Sequence, residues 1–107
     1  MNILHYKLVG KTPIICHPSE VSSIQDRTIQ RDFFGPVMVS TVFLPFDHSF
    51  GGDGPVLFET MIFDGEYDGY QKRYKTYDEA VEGHKVACDL VNRLSIERES
   101  KLNNLGI

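Results

Sequence analysis

The segment that follows Thr76 carries one amphipathic pattern, and this pattern restricts the fold more than any other feature of the chain. Apolar or small side chains recur at spacings of three and four, which places them on one stripe of an α-helix. Thr76 and Glu79 match a capping box, and Asp78 adds negative charge to the first turn. The stripe needs an apolar surface to cover it, and it consists of Tyr77, Ala80, Val81, His84, Ala87, Cys88, Val91 and Leu94.

Strands are predicted to supply that surface. Two segments rich in β-branched and aromatic residues, 37–44 and 56–63, indicate a central antiparallel pair. Alternating or short apolar runs predict further strands at 3–9, 12–16, 27–34 and 70–74. We therefore expect a single α+β domain over residues 1–107, with an antiparallel sheet of about five strands and one long C-terminal helix on one face.

Two weaker patterns lie outside the predicted strands and the amphipathic stripe. Pro18 suits the first turn of a helix, and the spacing of Val21 and Ile24 favours their burial, so a short helix is predicted near residues 18–26. Beyond Leu94 the sequence is polar with scattered apolar residues, among them Ile96, Leu102 and Leu105. That tail either frays or packs against a second copy, which makes a homo-oligomer a possible state.

Composition excludes several classes of partner. The chain has 15 acidic and 11 basic residues, a net charge of −4, which lacks the positive field that draws proteins to duplex DNA and is too small for a DNA mimic. Cys16 and Cys88 have no metal-type spacing and are predicted to be core thiols in a reducing compartment. No signal peptide or membrane span is recognised, so we expect a cytoplasmic protein with no membrane partner.

The linker between the two central strands, PFDHSFGGDGP, is a candidate binding loop. Phe46 and Phe50 flank Asp47 and His48, and the glycines from Gly51 onward allow the backbone to approach a ligand. The alternative is an ordinary loop held by its two aromatic side chains, in which Asp47 caps a turn.

Glu59 and His84 are polar residues in apolar surroundings. Glu59 stands inside a strongly apolar strand and needs a partner, for which Arg73, His84 and His48 are the candidates. His84 lies on the buried stripe, where a hydrogen-bonded core histidine is more common than a ligand. The neighbouring Gly83 indicates close approach of the helix to the sheet or to a ligand.

If Asp47, His48, Glu59 and His84 met in space, they could bind a divalent metal or act as acid and base. The chain contains no HExxH, phosphate-binding loop, dinucleotide fingerprint or nucleophile elbow. We therefore predict a binding protein without cofactor or metal, and keep a small metal-dependent hydrolase or nuclease using His48, Glu59 and His84 as the alternative.

The run QKRYK could contact a nucleotide. Basic residues interleaved with tyrosines can hold a phosphate and stack a base. In the other interpretation the charges protect an edge strand from pairing, and alternation places the tyrosines inward. The residues concerned are Lys72, Arg73 and Lys75 with Tyr70, Tyr74 and Tyr77.

Residues 37–91 resemble a family of short uncharacterised proteins encoded by many tailed phages and prophages. The chain departs from that pattern at Pro45-Phe46, where similar proteins have Gly-Leu, and at Tyr77, where a tryptophan is usual. The resemblance is carried by the strings VSTVFL (39–44), DH (47–48), FG (50–51), FETMIF (58–63), RY (73–74), EA (79–80) and GH (83–84), with Thr76.

The resemblance implies a genomic setting and no reaction. Phage proteins of this size are often accessory inhibitors, so we expect stoichiometric binding to a host defence protein, as anti-CRISPR proteins do, or to a nucleotide immune signal. A minor virion or assembly protein is a further alternative. The expected ligand-binding residues are Asp47, His48, Phe50, Gly51, Glu59, Lys72, Arg73, Tyr74 and His84.

Overall fold

The computed structural model describes residues 3–47 and 54–104, with side chains as far as Arg93. It confirms an α+β fold of antiparallel strands and one long C-terminal helix packed against them. The elements are β1 (His5–Val9), β2 (Thr12–Cys16), β3 (Thr28–Phe34), β4 (Val37–Phe43), β5 (Phe58–Phe63), β6 (Gln71–Tyr74) and α1 (Tyr77–Asn104).

The strands form two sheets where one sheet of about five strands was expected. The first sheet is the hairpin of β1 and β2, and the second has the order β3-β4-β5-β6. The hairpin closes through Gly10, which adopts a φ of 63°. It meets the larger sheet through a bond from the Tyr6 amide to the Pro45 carbonyl, 2.8 Å long, and therefore adds no strand to it.

One face of the four-stranded sheet is covered by α1. Cross-strand neighbours on this face form rows, because alternate residues of paired strands point the same way. One row consists of Phe43, Phe58 and Tyr74, and Tyr6 and Leu8 of the hairpin pack against it. The other apolar cluster joins the sheet to the middle of α1 and contains Val39, Ile62, Ala87 and Val91.

The predicted stripe of α1 is confirmed over the described side chains. Ala80, His84 and Ala87 are fully buried and Val91 is nearly so, while Tyr77, Val81 and Cys88 are half-buried. The helical backbone continues to Asn104, so the helix does not end at Leu94. Leu94, Ile96, Leu102 and Leu105 lie outside the described side chains, and self-association through them stays a prediction.

The short helix predicted near residues 18–26 is wrong in extent. A single 3-10 turn spans Pro18–Glu20, closed by the His17 side chain on Ser19 and by Glu20 on the His17 amide. Val21 is already extended and Ile24 is 64% exposed. The helix ends after one turn, because no apolar surface covers the residues that would continue it.

The predicted capping box at the start of α1 is present. The Thr76 hydroxyl accepts from the Glu79 amide at 3.1 Å, and the Glu79 carboxylate accepts from the Thr76 amide at 3.1 Å. We expect Thr76→Ala to lower the free energy of unfolding by about 1 kcal/mol, because it removes the cap. Urea denaturation measures this, with Thr76→Asp as the control that keeps a capping oxygen. Equal losses in both variants would contradict a capping role.

Candidate functional site

A chain of buried polar groups lies between the sheet and α1. The Thr41 hydroxyl is within hydrogen-bond distance of Thr60 on one side and 2.7 Å from His84 Nδ1 on the other. His84 Nε2 lies 2.7 Å from Asp32 Oδ2 on the edge strand β3. His84, Thr41 and Thr60 are all 0% exposed, whereas the Asp32 side chain is 43% exposed.

The donor and acceptor chemistry of these groups sets the direction of each hydrogen bond in the series. A carboxylate only accepts, so His84 Nε2 carries the proton that it donates to Asp32. In the neutral ring, Nδ1 then accepts from Thr41, whose oxygen accepts from Thr60. The hydrogen bond from His84 holds the pKa of Asp32 below its usual range, in spite of partial desolvation. The carboxylate end is therefore ionised at neutral pH.

Three donors meet at one oxygen of Asp32. Besides His84, the Gln30 amide donates to Oδ2 at 3.0 Å and the Cys88 thiol at 3.8 Å. Burial, followed by the Asp32 charge, raises the pKa of Cys88 to about 11. The ligand-type atoms of Asp32, His84 and Cys88 all lie within 4.8 Å of one another.

The carboxylate, imidazole and hydroxyl stand in the order of a catalytic triad, but the chemistry of a triad needs a substrate beside the hydroxyl. Thr41 is fully buried under α1, and no substrate can reach it. The hydroxyls of Thr41 and Thr60 therefore satisfy His84 and position it. They do not form a nucleophile site.

Tyr74 packs directly on Gly83, which confirms the close approach of helix and sheet. A Cβ at Gly83 would overlap the hydroxyl and ring of Tyr74. Burial raises the pKa of Tyr74. The Thr60 hydroxyl lies near enough to offset part of this shift in the pKa of Tyr74. Within the described part of the chain, however, the buried Tyr74 hydroxyl makes no hydrogen bond of good geometry.

No helix among the described residues lies on the opposite face of the four-stranded sheet, and we call it the open face. One of its rows is Phe33, Met38 and Phe63, of which Phe33 is 65% exposed. A groove of about 210 Å³ crosses the face and is bordered by Ile24. The open face consists of Arg31, Phe33, Met38, Ser40, Val42, Glu59, Met61, Phe63, Gln71 and Arg73.

Glu59 belongs to the open face, and His84 lies on the other side of the sheet. Of the partners considered for Glu59, the structure gives Arg73, whose Nε is 2.8 Å from Glu59 Oε2, and adds Gln71 at 2.6 Å. Because strand alternation separates Glu59 from Thr60 and His84, the predicted cluster of Glu59 and His84 is wrong. Glu59 and His84 therefore cannot bind the same metal ion, as the metal-dependent hydrolase alternative requires.

The side chains of the basic run alternate between the two faces of the sheet. Arg73 is on the open face, while Tyr74 points into the core beneath α1. Lys72, Arg73 and Tyr74 nevertheless all line one open groove beside α1, whose other walls include Glu79 and Glu82. The inward placement of the tyrosines is confirmed for Tyr74. A nucleotide site formed jointly by Lys72, Arg73 and Tyr74 stays a prediction, and the carboxylates of Glu79 and Glu82 in the same groove oppose the binding of a phosphate there.

At the candidate binding loop the structure describes the two ends. Asp47 Oδ1 accepts from the Val56 amide at 2.8 Å, which supports the turn-capping interpretation of Asp47. Phe46 packs edge-to-face on His5, with ring centroids 5.3 Å apart. His48, Phe50 and Gly51 lie outside the described residues, and their binding role stays a prediction.

Sequence reasoning did not find Asp32, Thr41, Thr60 or Cys88 as members of a site. Cys88 carried a signal, since it follows His84 by four residues on one helical face. Asp32 carried a weaker one, as an acid in an alternating strand. Asp32 and His84 are 52 residues apart in the chain, so no local spacing could reveal their contact.

Comparison with known proteins gives no further assignment. The chain matches no protein family model, no curated protein and no solved structure. Within the described residues, no helix is long and apolar enough to cross a membrane. The function must therefore be argued from the geometry above.

Proposed function

We propose that this protein acts by stoichiometric binding of another protein through the open face. The observation that carries the proposal is the composition of that face, which carries two phenylalanines, two methionines and two arginines and is not covered by a helix among the described residues. Aromatic residues, methionine and arginine are the side chains enriched where proteins bind one another, and they supply most hot spots.

The charges on the open face favour a partner with an acidic group beside an apolar surface. Arg73 is neutralised by Glu59. Arg31 is exposed, and no ion pair to it is found among the described residues. A carboxylate of the partner can pair with Arg31 while its apolar side chains cover Phe33 and Phe63. Such a pair is worth more once the surrounding face is desolvated.

The same geometry favours a protein over a nucleotide as the ligand. A nucleotide site requires phosphate-binding cations and a stacking ring on one surface. Lys72, Arg73 and Tyr74 line one groove, but two carboxylates share that groove with them. Arg73 is already paired with Glu59, and Tyr74 is only 7% exposed, so little of its ring is free to stack on a base. With the phage resemblance, this supports a host defence protein as the partner that is bound and inhibited.

The test is a binding comparison between matched surface variants. The wild-type chain, immobilised in extract of the host, captures a partner that mass spectrometry identifies, and calorimetry with the purified partner measures the affinity. We expect Phe33→Asp and Arg31→Glu to weaken binding about thirtyfold or more, the size of one hot spot. Val86→Asp on α1, also at an exposed apolar position, should bind as wild type.

Circular dichroism must show that all three variants are folded. A partner that binds Phe33→Asp and Arg31→Glu as tightly as the wild type contradicts the proposal. The proposal is also contradicted if light scattering finds a wild-type dimer that Phe33→Asp and Arg31→Glu convert into a monomer. In that case a second copy of the chain covers the open face.

A further inference from the structure

We propose that Asp32, His84 and Cys88 form a zinc-binding site that joins the edge strand β3 to α1. The proposal is independent of the open face, which lies on the other side of the sheet. It rests on three different ligand atoms, Oδ2, Nε2 and Sγ, within 4.8 Å of one another, contributed by two elements that the fold holds together.

The three ligand atoms are close to the spacing of a tetrahedral ion, since each pair lies within 4.8 Å. Zinc bonds to nitrogen, oxygen and sulfur are about 2.0 to 2.3 Å long, so two ligand atoms of one tetrahedron lie about 3.3 to 3.8 Å apart. Cys88 Sγ and Asp32 Oδ2 are 3.8 Å apart, while His84 Nε2 and Asp32 Oδ2 are 2.7 Å apart. The half-exposed Asp32 carboxylate can rotate outward by the few tenths of an ångström that the second pair needs.

In the metal-free cluster, two protons occupy the space that a bound cation would take. Both the His84 Nε2 proton and the Cys88 thiol proton point at the same carboxylate oxygen. When zinc binds, the thiol proton leaves to solvent and the imidazole proton moves to Nδ1. Carboxylate and thiolate together then carry two negative charges, which match a divalent ion, and imidazole with thiolate selects zinc over magnesium or calcium.

The surroundings of His84 provide the support that metal-binding histidines usually have. A ligating histidine normally donates from its other ring nitrogen to a fixed acceptor, which sets the ring orientation. Thr41 Oγ1, 2.7 Å from Nδ1, is such an acceptor, and it passes its own proton on toward Thr60. Asp32 opens to solvent, which gives the ion a route of entry and leaves the fourth coordination position for water.

The experiment uses the full chain after chelator treatment, titrated with ZnCl₂ by calorimetry and, in parallel, with CoCl₂ by absorption. We expect one ion per chain, a higher melting temperature with zinc, and a thiolate-to-cobalt charge-transfer band with tetrahedral visible absorption. Cys88→Ser should abolish the charge-transfer band. It and Asp32→Asn should each weaken zinc binding about 100-fold or more.

Cys16→Ser is the matched control, because Cys16 is the other free, half-buried thiol and lies in β2. It should bind zinc and cobalt as the wild type does. Zinc affinity unchanged in Cys88→Ser, binding lost in Cys16→Ser, or a cobalt spectrum without the thiolate band would each overturn the site. Circular dichroism of each metal-free variant separates loss of a ligand from loss of the fold.

Discussion

Gly83→Ala should lower the free energy of unfolding by about 3 kcal/mol, the upper part of the range for overpacking a core. On an exposed helix the same change is favourable by about 1 kcal/mol, because alanine is the better helix former. Here the new methyl group would overlap the ring of Tyr74. That ring is 7% exposed and is held by the Phe58 row, so it cannot move aside cheaply.

Thermal and urea denaturation measure this effect, which corresponds to a fall in Tm of about 15 °C for a domain of this size. Glu82→Ala, at the exposed neighbouring position, is the control and should change stability by less than about 0.5 kcal/mol. Tyr74→Leu should reduce the cost of Gly83→Ala in the double variant, because it removes the overlapping ring atoms. A Gly83→Ala variant as stable as the wild type would show that Tyr74 is not seated on the helix.

Thr41→Val should cost about 2 to 6 kcal/mol, since it leaves two buried polar groups without their partner at about 1 to 3 kcal/mol each. Valine fills the same volume as threonine, so no cavity contributes to the loss. The groups left unsatisfied are His84 Nδ1 and the Thr60 hydroxyl, both fully buried.

Two companion variants separate the hydroxyl from its packing. Thr41→Ser keeps the hydroxyl and should lose about 1 kcal/mol, the value of one buried methyl group. In a double-mutant cycle, Thr41→Val with Thr60→Val should cost less than the sum of the single changes, because the second substitution removes an orphaned group. Additive costs would mean that the two hydroxyls do not interact.

The elements that depend on local sequence were predictable. The capping box at Thr76 and Glu79 acts over three residues, and the stripe containing His84 follows from helical geometry. The strand pair β4 and β5 was visible from its β-branched and aromatic content. The short helix at residues 18–26 failed because two apolar residues at the right spacing do not supply a surface to bury them.

The two-sided nature of the sheet could not be read from the chain. In β5 both alternating sets are apolar, with Phe58 and Ile62 on one side and Met61 and Phe63 on the other. Pattern alone therefore did not show which set α1 would cover, and Glu59 could be placed near His84. Asp32 gained its role through pairing of β3 with β4, which depends on the whole sheet.

The buried chain of hydroxyl, imidazole and carboxylate groups has one opening. Of its described members, Asp32 alone reaches water, while His84, Thr41 and Thr60 are sealed beneath α1. The protons on those three side chains can therefore exchange with solvent only through the Asp32 carboxylate or when α1 separates locally from the sheet.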